Sequence, residues 1–237
     1  MGKNHNNLFY KKVRSKGFKP SHVAEVGVWH PNTSNVYQFI QDGIITSLVE
    51  PDPHSIKLIK EEFGKNENVT LHELALCDFN GEVELCKRES STFISGLPSS
   101  PALINDDCDV EQTDKFTAKA SLFGEIDDGT IDLISIDTEG SEWFVIKNMK
   151  SRPTVISIET HGGMYVNPYL KELQNWMDEN NYILWYKDKS DSVFALKNTL
   201  TILITDKFQL LVSNMIISLK SNKKRLGKRI KKLIGKK

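Results

Sequence analysis

Four carboxylates and one histidine stand at the ends of two apolar runs, and their spacing defines the chemistry open to this chain. Ile131 to Ile136 is mostly apolar, and then Asp137, Glu139 and Glu142 arrive within six residues, with Gly140 and Ser141 between them. The second run, Thr154 to Ile158, leads straight into Glu159-Thr160-His161. A carboxylate placed directly after a buried strand needs a partner, because removing a charge from water is costly. Asp137 and His161 could converge on one acceptor hydroxyl, with His161, which titrates near neutrality, as the general base. Asp137, Glu139 and Glu159 could instead hold Mg²⁺, since hard cations prefer clustered carboxylates. Plainer readings stand beside these. Glu142 also suits a helix N-terminus, and His161 could be satisfied by Glu159 or a backbone carbonyl.

The elements that must position these groups follow from hydrophobic periodicity. An apolar run bounded by turn residues suits a strand buried on both faces of a parallel sheet. Ser141 then stands as an N-cap, with Trp143, Ile146 and Met149 at helical spacing. Val23–Val28 reads as the first strand, Ile44–Val49 as the second and Val69–Leu74 as the third, and Glu82–Lys87 as a short returning strand after the Asn80-Gly81 turn. Asp52 and Pro53 make an N-cap and N1 pair before Ile56, Ile59 and Phe63. Pro168–Glu179 is predicted to be an amphipathic helix, and Tyr182–Lys187 with Ser192–Lys197 a hairpin. Strands alternating with helices predict a mainly parallel sheet covered on both faces. Residues 88–112 lack periodicity and are read as a long substrate-facing loop.

The order of motifs carries more than any one of them. Strand one ends in Glu25-x-Gly27, and strand two ends in Glu50, where an acid can accept hydrogen bonds from both hydroxyls of a ribose. No GxGxxG follows, which favours an adenosine ligand without phosphate, such as S-adenosylmethionine. Glu25-Val-Gly27, then Val49-Glu-Pro-Asp-Pro53, Ala75-Leu-Cys-Asp78, Ile136-Asp-Thr-Glu-Gly-Ser-Glu142 and Ile158-Glu-Thr-His161 resembles the FkbM family of methyltransferases. The resemblance implies an α/β, Rossmann-like class I methyltransferase fold, with a mainly parallel seven-stranded sheet and an antiparallel final hairpin strand. It also implies S-adenosyl-L-methionine as donor and O-methylation of a sugar, glycan or glycolipid hydroxyl. Glu25, Gly27 and their loop would face the methionine half, Glu50 the ribose, and Ala75 and Leu76 the adenine. Asp137 would border donor and acceptor, with Glu139 and His161 on the acceptor side. The first loop departs from the family pattern in carrying Val28-Trp29-His30-Pro31. That departure supports the rival reading, a non-catalytic interaction protein that keeps the fold.

The totals assign the remainder. The chain has 31 Lys and Arg against 31 Asp and Glu, yet residues 1–24 and 219–237 hold six and ten of the basic groups and no acidic ones. The acidic groups are thus confined to 25–218. We divide the chain into a basic arm (1–20), laid on the sheet as a first helix or mobile, a methyltransferase domain (21–198) and a C-terminal appendage (199–237). Cys77, Cys86 and Cys108 form no CxxC pair, which fits a reducing compartment rather than a disulfide framework. The N-terminus lacks the apolar segment of a secretory signal, so a cytoplasmic location is expected. Leu200 to Leu219 is apolar but broken by Asp206 and Lys207, too interrupted for a bilayer span. Leu226, Ile230, Leu233 and Ile234 form a helical stripe among the basic residues, the pattern of a peripheral membrane helix. A partner subunit could also cover it. Nucleic acid is disfavoured because no recognisable binding module accompanies the tail.

Overall fold

The computed structural model describes residues 7–88, 91–105, 111 and 113–234. Seven strands form the main sheet: β1 (His22–Val26), β2 (Ile45–Val49), β3 (Val69–His72), β8 (Leu133–Ile136), β9 (Val155–Glu159), β12 (Tyr182–Lys187) and β13 (Asp191–Leu196). Their order is β12-β13-β9-β8-β1-β2-β3. All neighbours are parallel except β13, which runs antiparallel to both β9 and β12. The expected seven-stranded sheet with an antiparallel hairpin strand is what the chain forms.

Alternation along β1 sends successive residues to opposite faces. Ala24 and Val26 join a core with Ile134, Ile136, Ile156 and Val145, while Val23 joins another with Leu48, Leu133, Phe39 and Trp185. Helix α1 (Leu8–Ser15), N-capped by Asn7, lays Phe9 and Val13 on that second face. It resolves the arm-or-helix alternative for this segment. Between β1 and β2, Pro31–Thr33 forms a single 3₁₀ turn and α2 (Tyr37–Gln41) buries Phe39 and Ile40. Helix α3 (Pro53–Phe63) begins as predicted, the Asp52 carboxylate accepting from Ser55 N at 2.8 Å. Helix α6 (Leu170–Glu179) buries Leu173 and Met177.

A second sheet was not foreseen. Strands β4 (Ala75–Leu76), β7 (Asp114–Ser121), β5 (Gly81–Arg88) and β6 (Ser91–Ile94) lie in that order. Only β5 had a sequence signal. Strand β7 alternates outward polar with inward small residues over Thr117-Ala-Lys-Ala120, which lacks the β-branched apolar character that marks a strand. The supposed loop 88–112 therefore contains β6 and a short helix, α4 (Pro101–Asn105), while 89–90, 106–110 and 112, including Cys108, lie outside the described residues.

The appendage is one helix, α7 (Ile204–Ile234), about 46 Å long at 1.5 Å per residue. It is also less separable than the sequence suggested. Leu200 and Ile202 pack on the second core, and Asp206 bonds Lys16 Nζ at 2.5 Å and Trp185 Nε1 at 3.4 Å. Among the described residues no helix is long and apolar enough to cross a membrane.

Candidate active site

The parallel registers bring four strand ends to one level. Val26 pairs with Val49 and with Ile136, and Ile136 pairs with Ile158. Gly27, Glu50, Asp137 and Glu159 therefore leave the paired region side by side, at the carboxyl edge where open α/β sheets bind ligands.

Gly27 is fixed by close approach. Its φ is +81°, its N–H donates to Val49 O at 3.0 Å, and a Cβ there would stand 1.7 Å from the Asp137 carbonyl oxygen. No side chain fits between these two backbones. The turn also sets the loop that follows, in which Trp29 takes φ +51° and is 45% exposed.

Two carboxylates hold that loop from beneath. Glu50 accepts from Val28 N at 2.9 Å, Trp29 N at 2.8 Å and Asp52 N at 3.0 Å. Glu25 accepts from Ser34 Oγ at 2.5 Å and Asn35 N at 2.7 Å. Burial raises both carboxyls, Glu25 to about 7, although these hydrogen bonds pull the other way. The sequence had Glu25 facing a methionine moiety and Glu50 a ribose, but both side chains are engaged with the chain's own backbone. Their signal was visible as acids at strand ends. Their bracing role was not, because it depends on where the loop returns.

The other two strand ends differ. Among the described residues no hydrogen bond is made to the Asp137 carboxylate, and buried Glu159 Oε2 is without a partner. Burial first, and then neighbouring acids, push both well above the usual carboxylate range. Ser141 holds the predicted N-cap position of the helix Glu142–Ile146 but makes no capping hydrogen bond, and the Glu142 carboxylate takes up the donors of the turn. Its Oε1 accepts from Thr138 N and Gly140 N at 3.0 Å each, and Oε2 accepts from Asn167 Nδ2 at 2.5 Å. Ser141 Oγ turns back to Thr138 O instead. Asn167, which sequence reasoning missed, also donates to Glu159 O and so ties the two strand ends together.

Glu139 does not join this group. At φ +57° its side chain is carried away to accept from Ser91 Oγ at 3.0 Å, so the carboxylates brought together are Asp137, Glu142 and Glu159. The three carboxylates set out from the sequence as a Mg²⁺ set, Asp137, Glu139 and Glu159, are therefore not the three that meet. His161 is also displaced from its expected partner. Strand β9 ends at Glu159, and His161 starts a separate two-residue strand, β10 (His161–Gly162), paired with β11 (Tyr165–Val166). Its Nδ1 meets Thr160 Oγ1 at 2.9 Å and its Nε2 donates to Asp188 O at 3.3 Å. Burial, then the Lys187 ammonium, lowers its pKa. This is the backbone-carbonyl alternative set out from the sequence.

Two cavities share Gly27. One, of about 50 Å³, is lined by Val49, Glu50, Ala75, Leu76, Leu85, Thr92 and Ile94, among others. The other, of about 460 Å³ and open to solvent, is bordered by Glu25, Trp29, Asn35, Asp137 and the 188–191 turn. His161 lines a third cavity of about 310 Å³ between that turn and α7.

The sequence matches the Methyltransferase FkbM domain over residues 21–184. The chain belongs to the FkbM methyltransferase family. Comparison with curated proteins finds no match. Among solved structures, the chain is similar to a ribosomal protein L11 methylase from Lactobacillus delbrueckii subsp. bulgaricus, at 13% identity and TM-score 0.41, covering 84% of this chain and 81% of that one. It is also similar to a putative S-adenosylmethionine-dependent methyltransferase from Methanococcus maripaludis (10% identity, TM-score 0.42, 83% and 86% covered). An S-adenosylhomocysteine-bound methyltransferase from Podospora anserina gives 12% identity and TM-score 0.43, with 80% and 76% covered. The family uses S-adenosylmethionine, and the residues here suit it in kind. The small cavity offers apolar walls beside a carboxylate, and Gly27 leaves backbone exposed between the two cavities. At about 50 Å³ this cavity is tighter than ligand pockets usually are, roughly 300–1,000 Å³, so an adenosine would not fit it as it stands. Thr92 and Ile94 of β6 would have to lift to admit it.

Proposed function

We propose that this FkbM-family protein is an O-methyltransferase whose acceptor is a hydroxyl of a sugar, glycan or glycolipid. The observation that carries the reading is the Asp137 carboxylate, free of hydrogen bonds, in the open cavity that begins at Gly27. S-adenosylmethionine supplies a sulfonium-bound methyl group for in-line transfer. Asp137 would take the hydroxyl proton, and its raised pKa makes it a stronger base than an ordinary carboxylate. Asn35, Thr33, Lys189 and Ser190 around the same cavity offer hydrogen bonds suited to a polyhydroxyl acceptor. Glu50 would reach a ribose only by exchanging backbone partners. Ala75 and Leu76 would flank the adenine. His161, with both ring nitrogens engaged, would position the 188–191 turn rather than take the proton.

Helix α7 favours an acceptor at a membrane surface. Ile204, Phe208, Leu211, Met215, Leu219 and Leu226 are exposed along it, and its second half is basic. Ile204 to Leu219 recur at steps of four, three, four and four, and Leu226 follows about two turns later, giving a stripe along one side suited to a flat anionic surface. The third cavity, with Lys187, Lys189 and Lys220 over Ile216 and Ile217, lies between that helix and the acceptor side.

Calorimetry with S-adenosylhomocysteine, followed by transfer of labelled methyl into cell extracts, tests the central reading. Asp137→Asn should cut turnover at least tenfold with little change in donor affinity. Absence of donor binding at millimolar ligand would favour the non-catalytic rival. For the membrane reading, a chain ending at Ser218 keeps the packed half of α7 and loses ten basic residues. It should lose sedimentation with anionic vesicles, and a full-length protein that ignores such vesicles would sink this part.

A further inference from the structure

We infer that Asp137, Glu142 and Glu159 form a binding site for one hard divalent cation of the Mg²⁺, Mn²⁺ or Ca²⁺ class. The three offer oxygen atoms no two of which are farther than 4.8 Å apart. Opposed ligands of a Ca²⁺ ion stand about 4.6–5.2 Å apart, given Ca–O distances of about 2.3–2.6 Å. The atoms therefore fit that ion with little movement, and closing by a few tenths of an ångström would suit Mn²⁺ or Mg²⁺.

Proximity of acids is not by itself a site. Here one of the three acids and one neighbouring hydroxyl are left without partners. Glu159 is 8% exposed, and its Oε2 accepts no hydrogen bond. The Tyr165 hydroxyl, on a residue 1% exposed, also has none, although Glu142 and Glu159 lead the charges that disfavour its ionisation. A well-packed interior rarely leaves such groups unsatisfied, and each exception asks for an ion, a water or a function. None of the three carboxylates has a Lys, Arg or His nitrogen within 4.0 Å among the described residues. Asp191 stands directly opposite Glu159 in the β13–β9 register and adds a further acid. A divalent cation would neutralise two of these charges at once, and a cation-bound water could satisfy the Tyr165 hydroxyl.

The role follows from position. Asp137 borders the acceptor cavity while Glu142 and Glu159 lie behind it, so one coordination position would face the cavity. An acceptor hydroxyl bound there would be polarised and its proton made easier to remove, and this would take the place of a raised Asp137 pKa, which the ion would lower. That role rests on the methyl-transfer reading; the binding of the ion does not.

The test uses the full chain without donor or acceptor. Mn²⁺ titration followed by electron paramagnetic resonance should show one ion per chain, displaced by Mg²⁺ or Ca²⁺. Glu159→Gln should weaken Mn²⁺ binding at least tenfold, and so should Glu142→Gln. Glu142 also caps its turn, so Glu159→Gln keeps the test decisive if the other variant does not fold. Glu139→Gln should weaken binding less than Glu159→Gln does, because Glu139 acts on the site through its charge and not as a ligand. No ion bound at millimolar Mn²⁺, or equal binding by Glu159→Gln, overturns the site. So does a donor that binds tenfold tighter than S-adenosylhomocysteine while Mn²⁺ fails to bind, which would assign these charges to the sulfonium.

Discussion

The ends of β1 and β2 and the ends of β8 and β9 carry the same residue types in the same sheet, yet they are finished in opposite ways. Glu25 and Glu50 spend their oxygens on five hydrogen bonds within the chain. Asp137 and Glu159 accept none. The first pair is scaffold: it fixes the loop after Gly27 before any ligand arrives, which lowers the entropy lost on binding. The second pair stores unfavourable electrostatics that a proton, a cation or a reacting group can relieve. Buried acids at strand ends are thus not one kind of site. Whether the carboxylate faces backbone N–H groups or other carboxylates decides which kind it is.

Substitutions should separate the two regions by sign as well as size. The largest effect belongs to Gly27→Ala. The 1.7 Å approach to Asp137 O leaves no room for a methyl, and the positive φ adds strain, so a loss of about 4 kcal/mol or more is expected. Chemical denaturation would measure it, and a loss below about 1 kcal/mol would mean the two strands separate easily. Glu50→Ala comes next. It orphans the N–H groups of Val28, Trp29 and Asp52, at a cost of roughly 3 kcal/mol. The bracing contacts predict that it harms both the fold and the donor site. Glu159→Gln should move the other way. Removing an unpartnered buried charge should stabilise the metal-free protein by about 1 kcal/mol at pH 8 while lowering turnover. If it destabilises instead, Glu159 has a partner in solution and the contrast between the two regions fails.

The smallest expected effect is a pH dependence. Glu25 and Asp191 are both raised to about 7 by burial, from ordinary values of 4.5 and 3.8. Between roughly pH 4 and 7 the folded protein holds protons that the unfolded chain has released. Their contribution is therefore complete below about pH 4 and is lost as pH rises through 7. The melting temperature of metal-free protein should fall from pH 5 to pH 8, and Mn²⁺ should flatten that slope. A melting temperature independent of pH would show that the folded state tolerates these ionised carboxylates without penalty.

The sequence by itself determined most of the sheet and the edge at which its acids gather. Buried strands are short apolar runs, and caps such as Asp52-Pro53 act within four residues, so both are legible locally. The ordered motifs also sufficed to identify the family. Strand β7 escaped because its Thr-Ala-Lys-Ala core buries little by itself and becomes a strand only when β4 and β5 flank it. The anchoring of α7 was hidden for a related reason: Lys16 and Trp185, which bond Asp206, lie far away in sequence. The division of labour among the acids was also beyond the sequence. Glu139 and Glu142 are three residues apart, and a left-handed turn at Glu139 sends one to Ser91 and the other to Asp137 and Glu159. Spacing fixes which acids reach the rim of the sheet. Only the path of the backbone beyond it decides which of them meet, because hydrogen bonds and charge repulsion act over a few ångströms between residues that the chain order keeps apart.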